Sequence, residues 1–215
     1  MSLTVTAHQP NFLPGLSVIE RIRRADVVIW LDCAQYVRHS FVNRNRLSDG
    51  DWMTVPVRES DTLAPINRVH IADPTGRART KIARKLEHHF GEDAAPFARE
   101  LRRPYQLLAG LNLALINRLF EALDIQVEQK RQSELDPLHA VPAWSTNEFD
   151  LMPVRERYAD MAAQLGATTW LTGPGHRCGN VPRFTELGIE IETFGWDGPN
   201  PSAIELLRAP LKAAA

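Results

Sequence analysis

Residues 3–32, LTVTAHQPNFLPGLSVIERIRRADVVIWLD, carry the pattern that decides the fold. The β-branched run at 3–7 predicts a strand, which ends before the first of two prolines. Apolar residues then recur at helical spacing between 18 and 25, with Arg21 among the charged residues off the apolar face. The wholly apolar run at 27–31 predicts a strand covered on both faces, as in a parallel sheet. Strand, helix and strand in this order form a βαβ unit, whose crossover is almost always right-handed.

Strands and helices alternate again toward the end of the chain. Further strands are predicted at 52–57, 67–71, 125–128, 168–172 and 189–194. Helices are predicted at 78–90, 107–123, 154–165, 184–188 and 202–212, with a loop at 133–147. The strands at 52–57 and 67–71 are close enough along the chain to pair as a hairpin. We expect an α/β fold with a mostly parallel, Rossmann-like sheet flanked by helices and a helical portion in mid-chain. The whole chain, 1–215, is predicted to form one domain with a helical insertion at about 78–124.

The composition narrows the functional classes. The 215 residues are 44% hydrophobic and 24% charged, which is typical of a globular protein. The formal net charge of -1 excludes a grip on nucleic acid by the molecule as a whole, although a local basic patch is still allowed. No apolar run approaches the roughly 18 residues of a membrane-spanning helix, so no membrane partner is expected. The first 15 residues lack a secretory leader pattern, and we expect a cytoplasmic protein.

A first candidate site is the loop after the first strand, which contains His8, Gln9 and Asn11. Ligands of doubly wound sheets bind beyond the carboxyl ends of the strands. Pro10 and Pro14 would hold this polar loop in a fixed shape at the start of a helix, where free N–H groups can bind an anion. The alternative is that the polar side chains only cap the helix and brace the turn.

A second candidate site follows the strand at 27–31. Asp32 ends this strand, so it should lie about 10 Å or less from His8 on the neighbouring strand. Asp32 could orient His8, bind a substrate amine, hold a metal-bound water or simply cap the strand. The polar residues that follow are Gln35, Tyr36, Arg38, Asn43, Arg44, Asn45 and Arg46. The three arginines form the densest basic cluster and suit a phosphate or carboxylate, whereas the alternative is a solvated loop.

A third candidate site follows the strand at 168–172 and contains Gly173, Gly175, His176 and Arg177. The glycines allow a ligand to approach the backbone, and the two side chains could contact an anion. The alternative interpretation is an ordinary turn without a ligand, because Gly-Pro-Gly turns are common.

No cluster of metal-ligand spacing is present, so no built-in metal is expected. His88 and His89, near a helix end, fit dipole partners better than metal ligands.

Several motifs resemble those of the WbqC-like protein family. They are HQPNFLPG at 8–15, ADVVIWLDCAQY at 25–36, FVNRNRL at 41–47 and WMTVPV at 52–57. The resemblance continues more loosely through LGATTWLTGPG at 165–175 and covers most of the chain. Gly15 stands where the family usually has a bulky aromatic residue, and Cys33 stands where it usually has an acidic one. These departures indicate a divergent member from a natural-product pathway.

The resemblance implies an enzyme, because the family is associated with O-antigen and natural-product gene clusters. We expect a biosynthetic transferase that moves an acyl or aminoacyl group to the amine of an amino sugar or similar small molecule. His8 would act as the general base, and Asp32 would orient it or bind the ammonium form. The side chains expected to hydrogen-bond the donor's carbonyl oxygen are Gln9, Asn11 and Asn45. Arg44 and Arg46 would hold the phosphate of a coenzyme, a nucleotide or a tRNA end.

Two other functions compete with this one. The start of the chain also resembles HIGH-type nucleotidyltransferases and pantothenate-synthetase-like ligases, which implies ATP with Mg²⁺ as cofactors. The chain lacks their second motif histidine, so this analogy rests on the fold alone. The second alternative is a non-catalytic scaffold in a biosynthetic complex, supported by the short tail after Phe194. A homodimer is compatible with all three functions.

Overall fold

The computed structural model of the chain describes residues 2–135, 148–173 and 181–208. Within these ranges the strands are β1 (Thr4–His8), β2 (Val27–Trp30), β3 (Arg44–Arg46), β4 (Trp52–Thr54), β5 (Glu128–Arg131), β6 (Thr169–Thr172) and β7 (Glu190–Thr193). The α-helices are α1 (Leu16–Ile22), α2 (Arg77–Phe90), α3 (Ala95–Arg102), α4 (Leu108–Ala122), α5 (Gln132–Leu135), α6 (Glu148–Gln164) and α7 (Pro182–Glu186). The predicted alternation of strands and helices at both ends of the chain is confirmed.

The chain forms two compact units, each with its own core. The sheet unit comprises Met1–Gln9, Ser17–Gln35 and Val127–Gly198. The helical unit comprises Pro10–Leu16, Tyr36–Gln126 and Pro199–Ala215. The boundary therefore crosses the HQPN motif between Gln9 and Pro10. The single domain expected from the sequence stays a prediction.

The sheet unit contains a five-stranded sheet in the order β5-β2-β1-β6-β7, and every neighbouring pair in it is parallel. This confirms the α/β class and the mostly parallel, Rossmann-like sheet. All four residues of β2 are buried, as a strand covered on both faces requires. The register sets His8 of β1 opposite Trp30 of β2, so the carboxyl ends of these strands are neighbours.

Aromatic packing fills part of the sheet unit's core. The ring of Trp170 on β6 lies 6.0 Å from that of Tyr158 and 5.3 Å from that of Phe184.

Arg21 of α1 departs from the predicted helical pattern, because it is buried and does not lie on a solvated polar face. Its guanidinium donates a 3.1 Å hydrogen bond to the carbonyl oxygen of Ala7. A buried charged side chain needs such partners, and apolar periodicity alone does not show them.

Strand β5 begins three residues later than the predicted strand at 125–128. Its sequence, EQKR, is polar and mostly exposed. The physical reason is its position at the edge of the sheet, where charged side chains are favoured and an apolar run is not needed. The apolar pattern therefore covered the residues just before β5, and the prediction included only the first residue of the strand.

The helical unit confirms the helical portion predicted in mid-chain. Helices α2 and α4 match the periodic segments, and their buried faces include Leu86, Leu111 and Leu115. Helix α3, which was not predicted, packs between them through Phe97 and Leu101, both fully buried. A proline near the start of α3 is a helix-initiation signal that the sequence already carried.

The predicted hairpin between 52–57 and 67–71 is mostly wrong. Strand β4 pairs with β3, antiparallel, with Arg46 opposite Trp52. A turn through Asp49 and Gly50 joins the two strands, and Gly50 has a φ of 86°. An Asp-Gly pair between two strand-like runs is a strong hairpin signal, because the glycine takes the positive φ that the turn requires. Between the two segments predicted to pair, 52–57 and 67–71, the structure has a single antiparallel bridge, which joins Val57 and Ile71.

The last helix of the described chain is a 3₁₀ helix, which is wound more tightly than the predicted α-helix. Where an α-helix was expected at 202–212, the structure has a 3₁₀ helix at Ala203–Arg208, and positions 209–212 lie outside the described residues. Likewise, most of the predicted loop at 133–147 is outside the described ranges. None of the described helices combines the length and the apolar composition needed to cross a bilayer.

Candidate functional site

The strand order identifies the place in the sheet unit where a ligand would bind. Numbered by their own order along the chain, the five strands run 3-2-1-4-5, so the connections reverse direction beside β1. Ligands of doubly wound sheets bind in the crevice at the carboxyl ends of the strands at this switch point. His8 is the last residue of β1, and Thr172 is the last residue of its other neighbour, β6. The first predicted loop therefore begins at the switch point.

The backbone carbonyl of the next residue, Gln9, favours one tautomer of the His8 imidazole. Nδ1 lies 2.7 Å from the carbonyl oxygen of Gln9. Because a carbonyl oxygen only accepts hydrogen bonds, Nδ1 must carry the proton. The neutral ring then has its lone pair on Nε2, which is the arrangement a general base needs. His8 is half-buried, at the end of a strand whose middle is buried.

Asp32 is bonded to the sheet unit in a way that the sequence did not indicate. Its carboxylate accepts hydrogen bonds from the backbone N–H of Ser133 at 3.0 Å and from the hydroxyl of Ser133 at 2.7 Å. The side chain is only 2% exposed. The same carboxylate also accepts a 3.7 Å hydrogen bond from the thiol of Cys33. The predicted role of Asp32 in orienting His8 stays a prediction. Binding of a substrate ammonium by Asp32 stays a prediction.

Gln35 brings an unsatisfied amide to the sheet unit. It follows β2 by five residues and is 3% exposed. Neither Oε1 nor Nε2 has a hydrogen-bond partner among the described residues. A buried amide without partners is costly, so such a group marks a place where a polar ligand or water completes the structure.

The third predicted site can be described only at its beginning. Gly173 follows β6 and is buried, and Thr172 before it is 4% exposed. Gly175, His176 and Arg177 lie outside the described residues, so their role stays a prediction. Within the described ranges, no group of three or more His, Cys, Asp and Glu residues could hold a metal ion.

In the helical unit, Asn112 organises the other half of the HQPN motif. This residue of α4 is fully buried, and its Nδ2 donates to the carbonyl oxygens of Pro10 and Val42, both at 2.7 Å. Asn112 thereby holds the proline loop beside the segment that leads into β3. Sequence reasoning missed it, although a polar residue between Leu108, Leu111 and Leu115 on the apolar face of a helix was a visible signal.

The asparagines of the NRNR segment serve the fold of the helical unit. Asn43 is 6% exposed and donates to the carbonyl oxygen of Val55. Asn45 is 2% exposed, donates to the carbonyl oxygen of Leu13 and accepts from the backbone N–H of Arg46. Both hydrogen-bonding atoms of the Asn45 amide are therefore used within the protein. Its role as a donor to a substrate carbonyl stays a prediction, since the amide nitrogen has a second N–H. Asn11, in contrast, has a buried Oδ1 with no hydrogen-bond partner in the described part of the chain.

The arginines of the same segment gather around Trp52, a residue that the sequence analysis did not single out as functional. The guanidinium carbon of Arg44 lies 4.3 Å from the ring centre of Trp52, and that of Arg46 lies 5.7 Å from it. The cross-strand pairing of β3 and β4 sets Arg46 directly opposite Trp52. Alternation along β3 explains why the two arginines share a face while Asn45 points into the core.

Tyr36 and Arg38 differ in their surroundings. Tyr36 is 1% exposed, and burial raises the pKa of its hydroxyl, with Arg38 and Arg44 opposing the shift. Arg38 is exposed and forms a 2.9 Å ion pair with Glu59. The buried tyrosine fits a packing role, whereas Arg38 is on the surface with a carboxylate already paired to it.

The lack of a side chain at Gly15 leaves room for the side chain of Asn200. A Cβ at this position would lie 2.6 Å from Oδ1 of Asn200, too close for a real contact. The hydroxyl of Ser202 donates a hydrogen bond to the carbonyl oxygen of Leu13 and so links the segment at 199–202 to the proline loop. The space beside Gly15 that an aromatic side chain would enter is thus occupied by the side chain of Asn200.

Comparisons with known proteins agree on one family. The family model described as "WbqC-like protein family" matches residues 9–200. A similar curated protein is "Uncharacterized protein Rv1507c" of Mycobacterium tuberculosis, which is 28% identical over 204 residues, covering 88% of this chain and 81% of that protein. No solved structure matches the chain at a significant level.

Proposed function

Because the chain belongs to the WbqC-like protein family, we propose that it is a biosynthetic transferase that forms an amide on a small amine. The acceptor is an amino sugar or a natural-product intermediate with a primary amine, and the donor carries an activated acyl or aminoacyl group. The observation that carries this proposal is the position of His8 at the switch point of the sheet, with Nδ1 bonded to the Gln9 carbonyl.

The proposed chemistry is a single acyl transfer. The amine nitrogen attacks the carbonyl carbon of the donor, and Nε2 of His8 removes a proton from the nitrogen as the new C–N bond forms. The bond between the carbonyl carbon and the leaving group then breaks, and the imidazolium gives its proton to the leaving thiolate or alkoxide, which departs as the thiol or alcohol. The fixed tautomer supports this role because the ring needs no rearrangement before it accepts the proton.

Other residues of the sheet unit support binding of a polar substrate. The buried amide of Gln35 lacks partners among the described residues and is suited to hydrogen-bond a substrate hydroxyl or carbonyl. The side chain of Gln9 is half-buried next to His8 and suits the oxygen on which charge develops. The role of Arg44 and Arg46 in holding a donor phosphate stays a prediction from the sequence.

The strand order favours a second candidate function, ATP-dependent activation of a carboxylic acid or nucleotidyl transfer. Doubly wound sheets bind nucleotides at the switch point, and the 3-2-1-4-5 order is of this type. In this case ATP and Mg²⁺ would be the cofactors, and His8 would contact a transferring phosphate instead of an amine.

A product analysis with defined probes tests both functions. The full chain is incubated with glucosamine and one donor at a time: acetyl-coenzyme A, a charged tRNA, or acetate with ATP and Mg²⁺. Mass spectrometry detects the amide, and release of free thiol, deacylated tRNA, AMP or pyrophosphate identifies the donor. Amide formation without ATP supports the transferase, whereas AMP or pyrophosphate release supports the second function. Absence of turnover with every donor would favour the scaffold role.

The variant His8→Asn sharpens this test. The Asn amide keeps a donor for the Gln9 carbonyl but lacks Nε2, so we expect turnover to fall about 100-fold or more while folding is retained. His88→Asn makes the same change at an exposed histidine of α2 and should leave turnover unchanged. Near-normal turnover of His8→Asn would contradict the proposed role of His8.

A further inference from the structure

A cleft lies entirely within the helical unit, between the β3–β4 hairpin and the segment at 199–201. It has a volume of about 510 Å³, within the range usual for small-molecule sites. The residues on its walls that matter here are Phe41, Arg46, Leu47, Ser48, Pro199 and Pro201. Gly50 and Asn200 complete the lining, so four of the eight lining residues have apolar side chains and one carries a positive charge. Such a composition is typical of a pocket that holds a flat apolar group and fixes one anionic group.

Phe41 on the wall of the cleft and its neighbour Trp52, which does not line it, are both open to solvent. Phe41 is 53% exposed and Trp52 is 46% exposed, and their ring centres are 6.3 Å apart. Trp52 is already covered in part by the guanidinium of Arg44. Phe41 therefore provides the open aromatic face on the wall of the cleft. Aromatic faces of this kind stack on nucleobases without regard to base identity.

The charge at the cleft comes from Arg46. Its side chain is exposed and forms no ion pair with any described residue, so its charge is available to a ligand. Glu205 does not line the cleft, but its carboxylate accepts a 2.9 Å hydrogen bond from the backbone N–H of Ser48, which does. A single arginine beside one carboxylate favours a ligand with a single phosphate over one with two or three.

From these features we propose that the cleft binds a nucleoside monophosphate group, with the base stacked on Phe41 and the phosphate held by Arg46. The group belongs to a free nucleotide, a nucleotide-containing coenzyme or the terminal nucleotide of an RNA. The binding itself is independent of the transfer reaction.

Calorimetric titration of the full chain with AMP tests the proposal, with adenosine and inorganic phosphate as separate arms. We expect AMP to bind more tightly than either arm, because only AMP makes both contacts. Phe41→Ala should weaken AMP binding about tenfold by removing the stack. Arg46→Gln should also weaken it about tenfold by removing a charge-assisted hydrogen bond. Both positions are exposed, so the variants should fold normally.

Matched controls are available in the same unit. Val37→Ala trims another exposed apolar side chain, and Arg58→Gln neutralises another exposed arginine, neither of which lines the cleft. Both controls should keep the AMP affinity of the unchanged chain. His8→Asn should also keep it, which separates a failure of the binding proposal from a failure of the transfer chemistry.

Three results would overturn the proposal. The first is no binding of AMP at millimolar concentration, and the second is equal weakening in the cleft variants and their controls. The third is self-association of the chain that Phe41→Ala abolishes in sedimentation experiments, since this would make the cleft face an interface between copies.

Discussion

The side-chain amide of Asn112 donates a 2.7 Å hydrogen bond to the carbonyl oxygen of Pro10. The same nitrogen donates to Val42, so one buried residue of α4 fixes two loops of the helical unit. Pro10 cannot use an N–H group of its own to hold the loop, which makes its carbonyl oxygen the available anchor. The shape of the proline loop therefore depends on a residue about a hundred positions away.

Replacement of Asn112 by Ala should destabilise the protein strongly. The change leaves two buried carbonyl oxygens without donors and opens a cavity, with an expected cost of about 2–4 kcal/mol. The matched control is Asn117→Ala on the same helix, where the side chain is exposed and the expected cost is smaller, about 1 kcal/mol or less. Urea denaturation gives both values, and similar stabilities for the two variants would show that the Asn112 bonds contribute little.

The contact between Asp32 and Ser133 should be visible as energetic coupling. Asp32→Asn removes the charge that strengthens both hydrogen bonds from Ser133, and Ser133→Ala removes the hydroxyl donor. We expect losses of about 1–3 kcal/mol for Asp32→Asn and about 1 kcal/mol for Ser133→Ala. The double variant should lose less than the sum, by at least about 0.5 kcal/mol. Simple additivity of the two losses would mean that Asp32 contributes to stability through some other contact.

The hydroxyl of Tyr105 should make stability depend on pH in the alkaline range. Burial and a hydrogen bond to Glu100 raise the pKa of Tyr105 from 10.0 to about 12. The donor–acceptor distance, from the Tyr105 hydroxyl to Oε2 of Glu100, is 2.6 Å. Because the pKa is higher in the folded state, the protonated hydroxyl contributes stability that is complete below pH 10 and is lost as the pH rises through about 12.

Tyr105→Phe isolates this contribution. The variant should be less stable than the unchanged chain at pH 8 by about 1–3 kcal/mol, since it lacks a hydrogen bond to a buried carboxylate. The difference should shrink as the pH is raised above 10.0, because only the unchanged chain has a Tyr105 proton to lose. Urea denaturation at a series of pH values measures the difference, and a constant difference across the series would contradict the assignment.

Some features could be predicted from local patterns because their physical cause is local. The apolar run in β2 is continuous since both of its faces are covered, and the period of α4 is clear since one face of it forms the core of the helical unit. The proline-rich loop after His8 could also be located, because prolines and a glycine mark turns through their own geometry.

Other features depended on partners that local patterns do not specify. β5 is polar because it lies at the sheet edge, and β4 pairs with β3 because of a turn whose signal was overlooked. In the candidate site the sequence located His8 and Asp32 at the ends of neighbouring strands. It did not show that Asp32 bonds to Ser133, or that the amide of Asn45 bonds to Leu13.

The sequence by itself determined the α/β class, the strand–loop–helix–strand start and the polar residues that follow the strands, since these depend on periodicity and turn chemistry within a few residues. Only the tertiary structure decided which polar groups are used inside the protein and which are open to a ligand. That decision depends on contacts between distant segments, such as Asn112 with Pro10 and Asp32 with Ser133. A buried amide or carboxylate takes whichever partner the packed chain brings within hydrogen-bonding distance, and no local pattern encodes this distance.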